Sequence, residues 1–399
     1  MNIVVITETA PDEPRVALVP ADVPGLTKTG ATVVVEAGAG SAAGFTDEEY
    51  VEKGAQIVTR AEALQQADVL CAVRIASAAN PAAGGGVVEQ LPEGAAVVAL
   101  MNPYAPHPDF AVMAQRRQRA FALERIPRIT RAQSMDVLSS QANIAGYRAV
   151  LLGATALPKL FPMMMTAAGT VVPARVFVVG VGVAGLQAIA TAKRLGAVVS
   201  AYDIRPAVKE QVQSLGARFV EIELDAGDTE TSGGYAREMD EEFYRKQREK
   251  MLEVVAETDV VITTAAIPGK KAPILVTQEM VEAMAPGTVV VDLAAERGGN
   301  CALTTAGETV THGGVRILGP VNLAAEAAHH AAQLFSRNVA TFLKELVSEE
   351  GSLTVDTEDE IVAATLIINE GGGRGAELAA TLGITAAPTT PKAAPGTEV

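Results

Sequence analysis

Two short stretches of this 399-residue sequence hold the residues best suited to chemistry. The first, VFVVGVGVAGLQAIATAKRLGAVVSAYD, carries G-x-G-x-x-G at Gly180, Gly182 and Gly185. An apolar run precedes the glycines, a helical pattern opens on them, and a second apolar run ends at Asp203. That context turns a weak pattern into a dinucleotide-binding fingerprint. Gly180 permits a tight turn, Gly182 lets the backbone approach a pyrophosphate, and Gly185 lets the helix pack on the sheet. The helix N-terminus, with Val183 at its start, then offers N–H groups and a positive pole to the phosphates. Asp203 lies 18 residues beyond Gly185, where a carboxylate accepts hydrogen bonds from an unphosphorylated ribose. This predicts NAD(H) over NADP(H), with Ile204 and Arg205 beside the adenosine ribose. Arg205 complicates the reading, because an arginine there can also accept a 2′-phosphate. Ala265 and Ala266, in VITTAAIPGK, sit where another strand exits toward the same nucleotide.

The second stretch is RIPRITRAQSMD, with Arg125, Arg128, Arg131, Gln133 and Asp136 close together. One reading is a solvated turn capping a long helix that opens near Ser134. The other is a functional crevice, because the stretch falls at the junction of two α/β halves. Asp292, Glu296 and Arg297 follow a later strand and are candidates to line a crevice, although Glu296 and Arg297 can equally pair with each other. The polar run 225–243, which contains Tyr235, reads either as a surface loop or as a lid over the nucleotide. His107, His312, His329 and His330 lack metal-ligand spacing, so no metal site is predicted. Cys71 and Cys301 lie in apolar segments and read as buried thiols in a reducing, cytoplasmic setting.

These residues need a frame. Hydrophobic residues make up 49% of the chain, enough for sizeable cores. The net charge of -15 argues against nucleic acid or anionic lipid as a general partner. No apolar run reaches the length of a membrane span, and no secretory leader is recognisable, so direct membrane insertion is not expected. Continuous β-branched runs at 3–6, 31–38, 68–74, 95–101, 175–180, 197–203, 218–224, 259–266, 287–294 and 315–319 predict strands buried on both faces. Helical patterns lie between them, for example at 46–53 and 61–67.

The expected fold is α/β: two Rossmann-like, doubly wound domains with mainly parallel sheets and a cleft between them. Residues 1–142 with 320–370 form an N-terminal domain completed by C-terminal helices. Residues 143–319 form the nucleotide domain, and 371–399 form a flexible Ala-, Thr- and Pro-rich tail. Met163–Met165 read as core filler.

RITRAQSMDVLSSQANIAGYRAV followed by GVGVAGLQAIATAKRLGAVVSAYDIRP resembles the NAD(H)-binding component of proton-translocating nicotinamide nucleotide transhydrogenases. The resemblance covers about residues 1 to 370, and the fold is shared with alanine dehydrogenases. It implies that Arg128, Gln133 and Asp136 shape the hydride-transfer site, with the glutamine reaching toward NADP bound on a partner. It makes Ser139 a nicotinamide carboxamide contact and Tyr235 the tip of a mobile loop. It implies a homodimer that works with an NADP(H)-binding beta subunit and a membrane subunit. NADP(H) is then bound only by the partner, and the chain lies peripherally on the inner face of the plasma membrane. The implied enzyme is the Si-specific/Re-specific, proton-translocating transhydrogenase. An alanine dehydrogenase is the alternative. Against it, Arg74 stands in CAVRIAS where a lysine is expected, and VVALMNPYAP has no histidine where that family needs one. Arg15 and Asp292 do match substrate-pocket residues of that family. Direct transfer between two nicotinamides needs no protein acid or base, only rings held close and water kept out.

Overall fold

The computed structural model describes residues 1–75, 86–221, 241–267, 269–348 and 350–387. The chain divides into two compact units, Met1–Leu138 with Ala328–Val399, and Ser139–Ala327.

Unit 1 is built on one sheet. Its strands are β1 (Asn2–Val5), β2 (Thr32–Glu36), β3 (Gln56–Val58), β4 (Val69–Arg74), β5 (Ala96–Leu100) and β6 (Arg119–Ala122), joined late in the chain by β16 (Leu366–Asn369) and β17 (Gly372–Gly373). The order is β17-β16-β6-β5-β4-β1-β2-β3. The run β3-β2-β1-β4-β5-β6 is parallel and has the 3-2-1-4-5-6 order of a doubly wound nucleotide fold. β16 and β17 close one edge antiparallel, with Leu366 opposite Phe121. Successive side chains of a strand point to opposite faces, and in β1 both faces are buried: Ile3 and Val5 join one core cluster, Val4 another. Two helices open on reciprocal caps. Thr46 accepts from the Glu49 amide while Glu49 accepts from the Thr46 amide, and Thr59 and Glu62 repeat the arrangement. The Ala328–Leu343 helix buries Ala331, Ala332, Phe335, Val339, Phe342 and Leu343, an apolar stripe with helical spacing.

Unit 2 carries a second sheet: β9 (Arg175–Val179), β10 (Val198–Tyr202), β11 (Arg218–Phe219), β12 (Val260–Thr263), β13 (Val289–Asp292), β14 (Thr309–His312) and β15 (Val315–Leu318). Its order is β11-β10-β9-β12-β13-β15-β14, parallel except for β14. Val176 and Val178 pack on one face, Phe177 and Val179 on the other. Strand order reverses between β9 and β12, and in such sheets ligands bind beyond the carboxyl ends at that point. Among the described residues, no helix is long and apolar enough to cross a membrane.

Several expectations change. Met163, Met164 and Met165 are not core filler: they are 62%, 43% and 76% exposed. The stretch holds an antiparallel hairpin, β7 (Met164–Thr166) with β8 (Gly169–Val171), whose residues are all exposed. The long helix does not open near Ser134. Residues Thr130–Met135 form a 3-10 turn and the α-helix runs Val137–Ala156. Residues 371–387 are ordered rather than tail-like. The Ala376–Leu382 helix buries Ala379 and Leu382, and apolar burial of this kind offsets the entropy of ordering the segment. Of the strand expected at 218–224, Arg218–Phe219 is strand among the described residues, while 222–224 and Tyr235 lie outside them.

Candidate functional site

In unit 2, Gly180, Gly182, Val183, Gly185, Asp203, Ile204, Arg205, Ala265 and Ala266 come together beyond the carboxyl ends of β9, β10 and β12. Gly180 has φ +92°, a conformation that side chains disfavour. A Cβ on it would stand 2.9 Å from Thr264 Oγ1 and 3.0 Å from the Ala265 amide. Thr264 Oγ1 donates to the Gly180 carbonyl at 2.8 Å, tying the two strand exits together. A Cβ on Gly185 would press into the Gly180 carbonyl group, 3.0 Å from its carbon, so the helix reaches the turn only with glycine there. Gly182 differs: a Cβ on it would meet nothing within 4 Å. It is the N-cap of the Val183–Arg194 helix, with no side-chain cap, no acid in the first turn, and Lys193 and Arg194 in the last. The positive pole thus faces open space beside backbone that can approach a ligand closely. This is the arrangement a diphosphate needs, and the residues fit one.

Asp203 stands at the end of β10, but its carboxylate is occupied. Oδ2 accepts from the Val181 amide at 2.7 Å, and Oδ1 from the Arg205 amide at 2.9 Å. The Arg205 guanidinium adds Nε to Oδ1 and Nη2 to Oδ2, both at 3.0 Å. A carboxylate offers about four lone-pair sites, so Arg205 sits where ribose hydroxyls would bind. Ala265 is fixed by Asn300, whose Oδ1 accepts from its amide at 3.0 Å and whose Nδ2 donates to its carbonyl at 2.8 Å. Sequence reasoning missed Asn300, since only this long-range pairing marks it.

Asp292 does not line a crevice. It is 0% exposed and accepts five hydrogen bonds, from Thr263 Oγ1, Thr304 Oγ1 and the amides of Ala294, Asn300 and Cys301. Its carboxylate organises the loop that carries Asn300. Glu296 accepts from the Asn322 amide at 3.1 Å. Ser139 opens unit 2 within the long helix, half-buried, its carbonyl accepting from Asn143 Nδ2 at 3.2 Å.

Arg128, Gln133 and Asp136 belong to unit 1. In the 3-10 turn, residues three apart share a face, and Ala132 and Met135 are buried while Gln133 is exposed. Arg128 is exposed and Asp136 half-buried. The turn is fastened by Arg131, which pairs with Glu345 at 3.0 Å and with Asp359. The hydrogen bond to Asp359 raises the Arg131 pKa. Asn338 Nδ2 adds a bond to the Ser134 carbonyl at 2.7 Å.

Elsewhere in unit 1, Arg15 is buried and clamps Glu13 through two bonds of 2.6 Å, and Arg74 Nε lies 3.5 Å from the same carboxylate. Burial pushes the nearby Glu8 carboxyl up to about 8, against the amides of Val73 and Arg74, which donate to it. His107 is buried with Nε2 3.0 Å from the Met101 carbonyl, and burial lowers its pKa. Cys71 and Cys301 are both buried.

Comparison with known proteins gives the family. Residues 4–145 match the family model "Alanine dehydrogenase/PNT, N-terminal domain", and residues 149–374 match "Alanine dehydrogenase/PNT, C-terminal domain". The chain is 49% identical over 374 residues to the first of the polypeptides that make up the NAD(P) transhydrogenase subunit alpha of Rhodospirillum rubrum, covering 93% of this chain and 97% of that one. It is 30% identical to the alanine dehydrogenase of Mycobacterium tuberculosis over 75% of this chain and 74% of that one. The solved transhydrogenase of Sinorhizobium meliloti superposes with a TM-score of 0.84 at 46% identity, covering 94% of this chain and all of that one. The chain therefore belongs to the alanine dehydrogenase/PNT family of NAD(H)-binding oxidoreductases, beside the transhydrogenase alpha subunits.

Proposed function

We propose that this chain is the NAD(H)-binding subunit of a proton-translocating transhydrogenase. The observation that carries the reading is the glycine turn at the β9–β12 reversal, with open space at Gly182 and Asp203 at the neighbouring strand end. The first-turn amides hold the diphosphate, Asp203 takes the adenosine ribose once Arg205 moves aside, and Ala265, Ala266 and Ile204 flank the nucleotide. Arg128, Gln133, Asp136 and Ser139 orient the nicotinamide; Tyr235, the remaining candidate, lies outside the described residues.

A hydride leaves C4 of NADH with both bonding electrons and joins C4 of NADP+ on a partner's domain. NADH is oxidised, NADP+ is reduced, and no proton is exchanged with the protein. The residues need only hold the rings at about 3–3.5 Å and exclude water. Coupling to protons falls to a membrane subunit, and the chain sits peripherally on the cytoplasmic side of the membrane.

The exposed hairpin supports a homodimer. Leu160, Met163, Met164, Met165, Val171 and Val172 are 39% to 77% exposed, and no charged residue lies between Lys159 and Arg175.

The test is to mix the protein with an NADP(H)-binding partner domain and follow oxidation of NADH by an NADP+ analogue. Transfer that requires both components is expected. NADH oxidation driven instead by pyruvate and ammonia would assign the chain to the alanine dehydrogenases.

A further inference from the structure

The Val137–Ala156 helix carries a buried glycine at its centre, Gly146. Glycine inside a helix costs about 1 kcal/mol relative to alanine, so a glycine here needs a local reason. The reason is close packing. A Cβ on Gly146 would press into the backbone of Ala184, 2.9 Å from its carbonyl carbon and 3.0 Å from its Cα. The three nearest atoms are all backbone, so no side-chain rotation relieves these contacts. Ala184 lies in the first turn of the Val183–Arg194 helix, the turn whose amides point into the space at Gly182.

That first turn is therefore gripped from two sides. Gly185 lies against the Gly180 carbonyl on the strand side, and Ala184 lies against Gly146 on the helix side. The fingerprint read from sequence contains only the first of these contacts. Gly153, seven residues further along the same helix, differs in kind. A Cβ on it would meet the side chains of Val260 at 2.9 Å and Val291 at 3.6 Å, which belong to β12 and β13 and not to the first turn.

We propose that Gly146 is a positioning residue for the diphosphate turn, a further glycine of the nucleotide site supplied 34 residues upstream of Gly180. The inference rests on the reading that this turn holds the pyrophosphate of NAD(H). A methyl group at position 146 displaces the first-turn amides by about 1 Å, and shifts of that size are costly where groups must meet a ligand in fixed geometry. The adenosine end, held by the β10 exit, is left in place.

The test compares adenosine, ADP-ribose and NADH binding by calorimetry to wild type, Gly146→Ala and Gly153→Ala. Wild type binds ADP-ribose and NADH if the underlying reading holds; no binding of either overturns that reading and the inference with it. Gly146→Ala is expected to lose roughly tenfold in affinity for ADP-ribose and NADH while adenosine changes less than about twofold. Gly153→Ala is expected to keep the wild-type ratio of ADP-ribose to adenosine affinity. Equal loss for all three ligands, no loss, or the same selective loss in Gly153→Ala overturns the inference. Should Gly146→Ala not fold, hydrogen exchange on wild type decides. ADP-ribose, but not adenosine, should protect residues 143–149 together with 183–187. Protection confined to 183–187 overturns the proposal.

Discussion

Arg205 lies across the carboxylate of Asp203, its Nε and Nη2 each 3.0 Å from a different oxygen. The acceptor expected for a ribose diol is thus held by the protein's own cation, and a nucleotide must displace it. Arg205→Ala should leave NADH affinity unchanged or tighter and weaken NADPH, raising the preference for NADH by ~3–10-fold. Asp203→Asn should lower that preference. Fluorescence titrations with both nucleotides would measure the ratio, and a lower preference in Arg205→Ala would refute the competition.

Asp292 is a buried acceptor for five donors. Asp292→Asn turns an amide toward those donors and leaves several unpaired. The expected cost is roughly 3 kcal/mol, or a fall in Tm of about 6–12 °C. Calorimetric melting would show it; a variant as stable as wild type would mean the loop finds other acceptors.

Glu8 sets a pH dependence. Its folded pKa of about 8 lies above the ordinary value of 4.5, because enclosure disfavours the ionised form. Glu13 opposes ionisation, Arg15 favours it, and Arg74 and Asp109 line the same small cavity. The folded state therefore holds a proton that the unfolded chain releases. This contribution to stability is complete below pH 4.5 and is lost as pH rises to about 8. Its ceiling is about 5 kcal/mol, reduced because the residue is only half-buried. Urea melts at pH 6 and pH 9 should show wild type weakening more than Glu8→Gln. Parallel losses in both proteins would exclude Glu8 as the source.

Arg128 and Arg131 are three residues apart and should behave differently. Arg131 is committed to Glu345 and Asp359, and removing it loosens an exposed ion pair. Arg131→Ala is expected to slow hydride transfer less than about threefold. Arg128→Ala should slow it by ~10²-fold while NADH affinity changes little. Stopped-flow transfer assays and NADH titration separate the two, and equal effects would remove the distinction.

Legibility in the sequence followed the range of the forces involved. The glycine turn was readable because its constraint is local: a backbone angle at Gly180 and close packing at Gly185. The long apolar strands, such as Arg175–Val179 and Val289–Asp292, were readable because both faces are buried and the runs are continuous. β3, β6 and β16 were not, because QIV, RAFA and LIIN are short and acquire strand character only by pairing with distant partners. The occupation of Asp203 depends on which way an arginine side chain turns, and the role of Asp292 depends on donors up to 29 residues away. Met163–Met165 misled because apolar composition does not say which face lacks a cover. Gly146 left only a weak trace, a glycine in the middle of a helical pattern.

The pairing of β6 with β16 also orders events during synthesis. On the ribosome the strands β1 to β6 emerge early, yet the last neighbour of β6 comes from residues 366–369, after all of residues 139–327 have been made. Until then β6 presents an unpaired edge, the kind of surface that recruits other strands. The unit bearing the glycine turn has no such wait, since its whole sheet comes from one continuous stretch. Translation therefore delivers the finished unit with the glycine turn while the half that precedes it is still open, and the nascent chain depends on residues 366–369 to seal that edge.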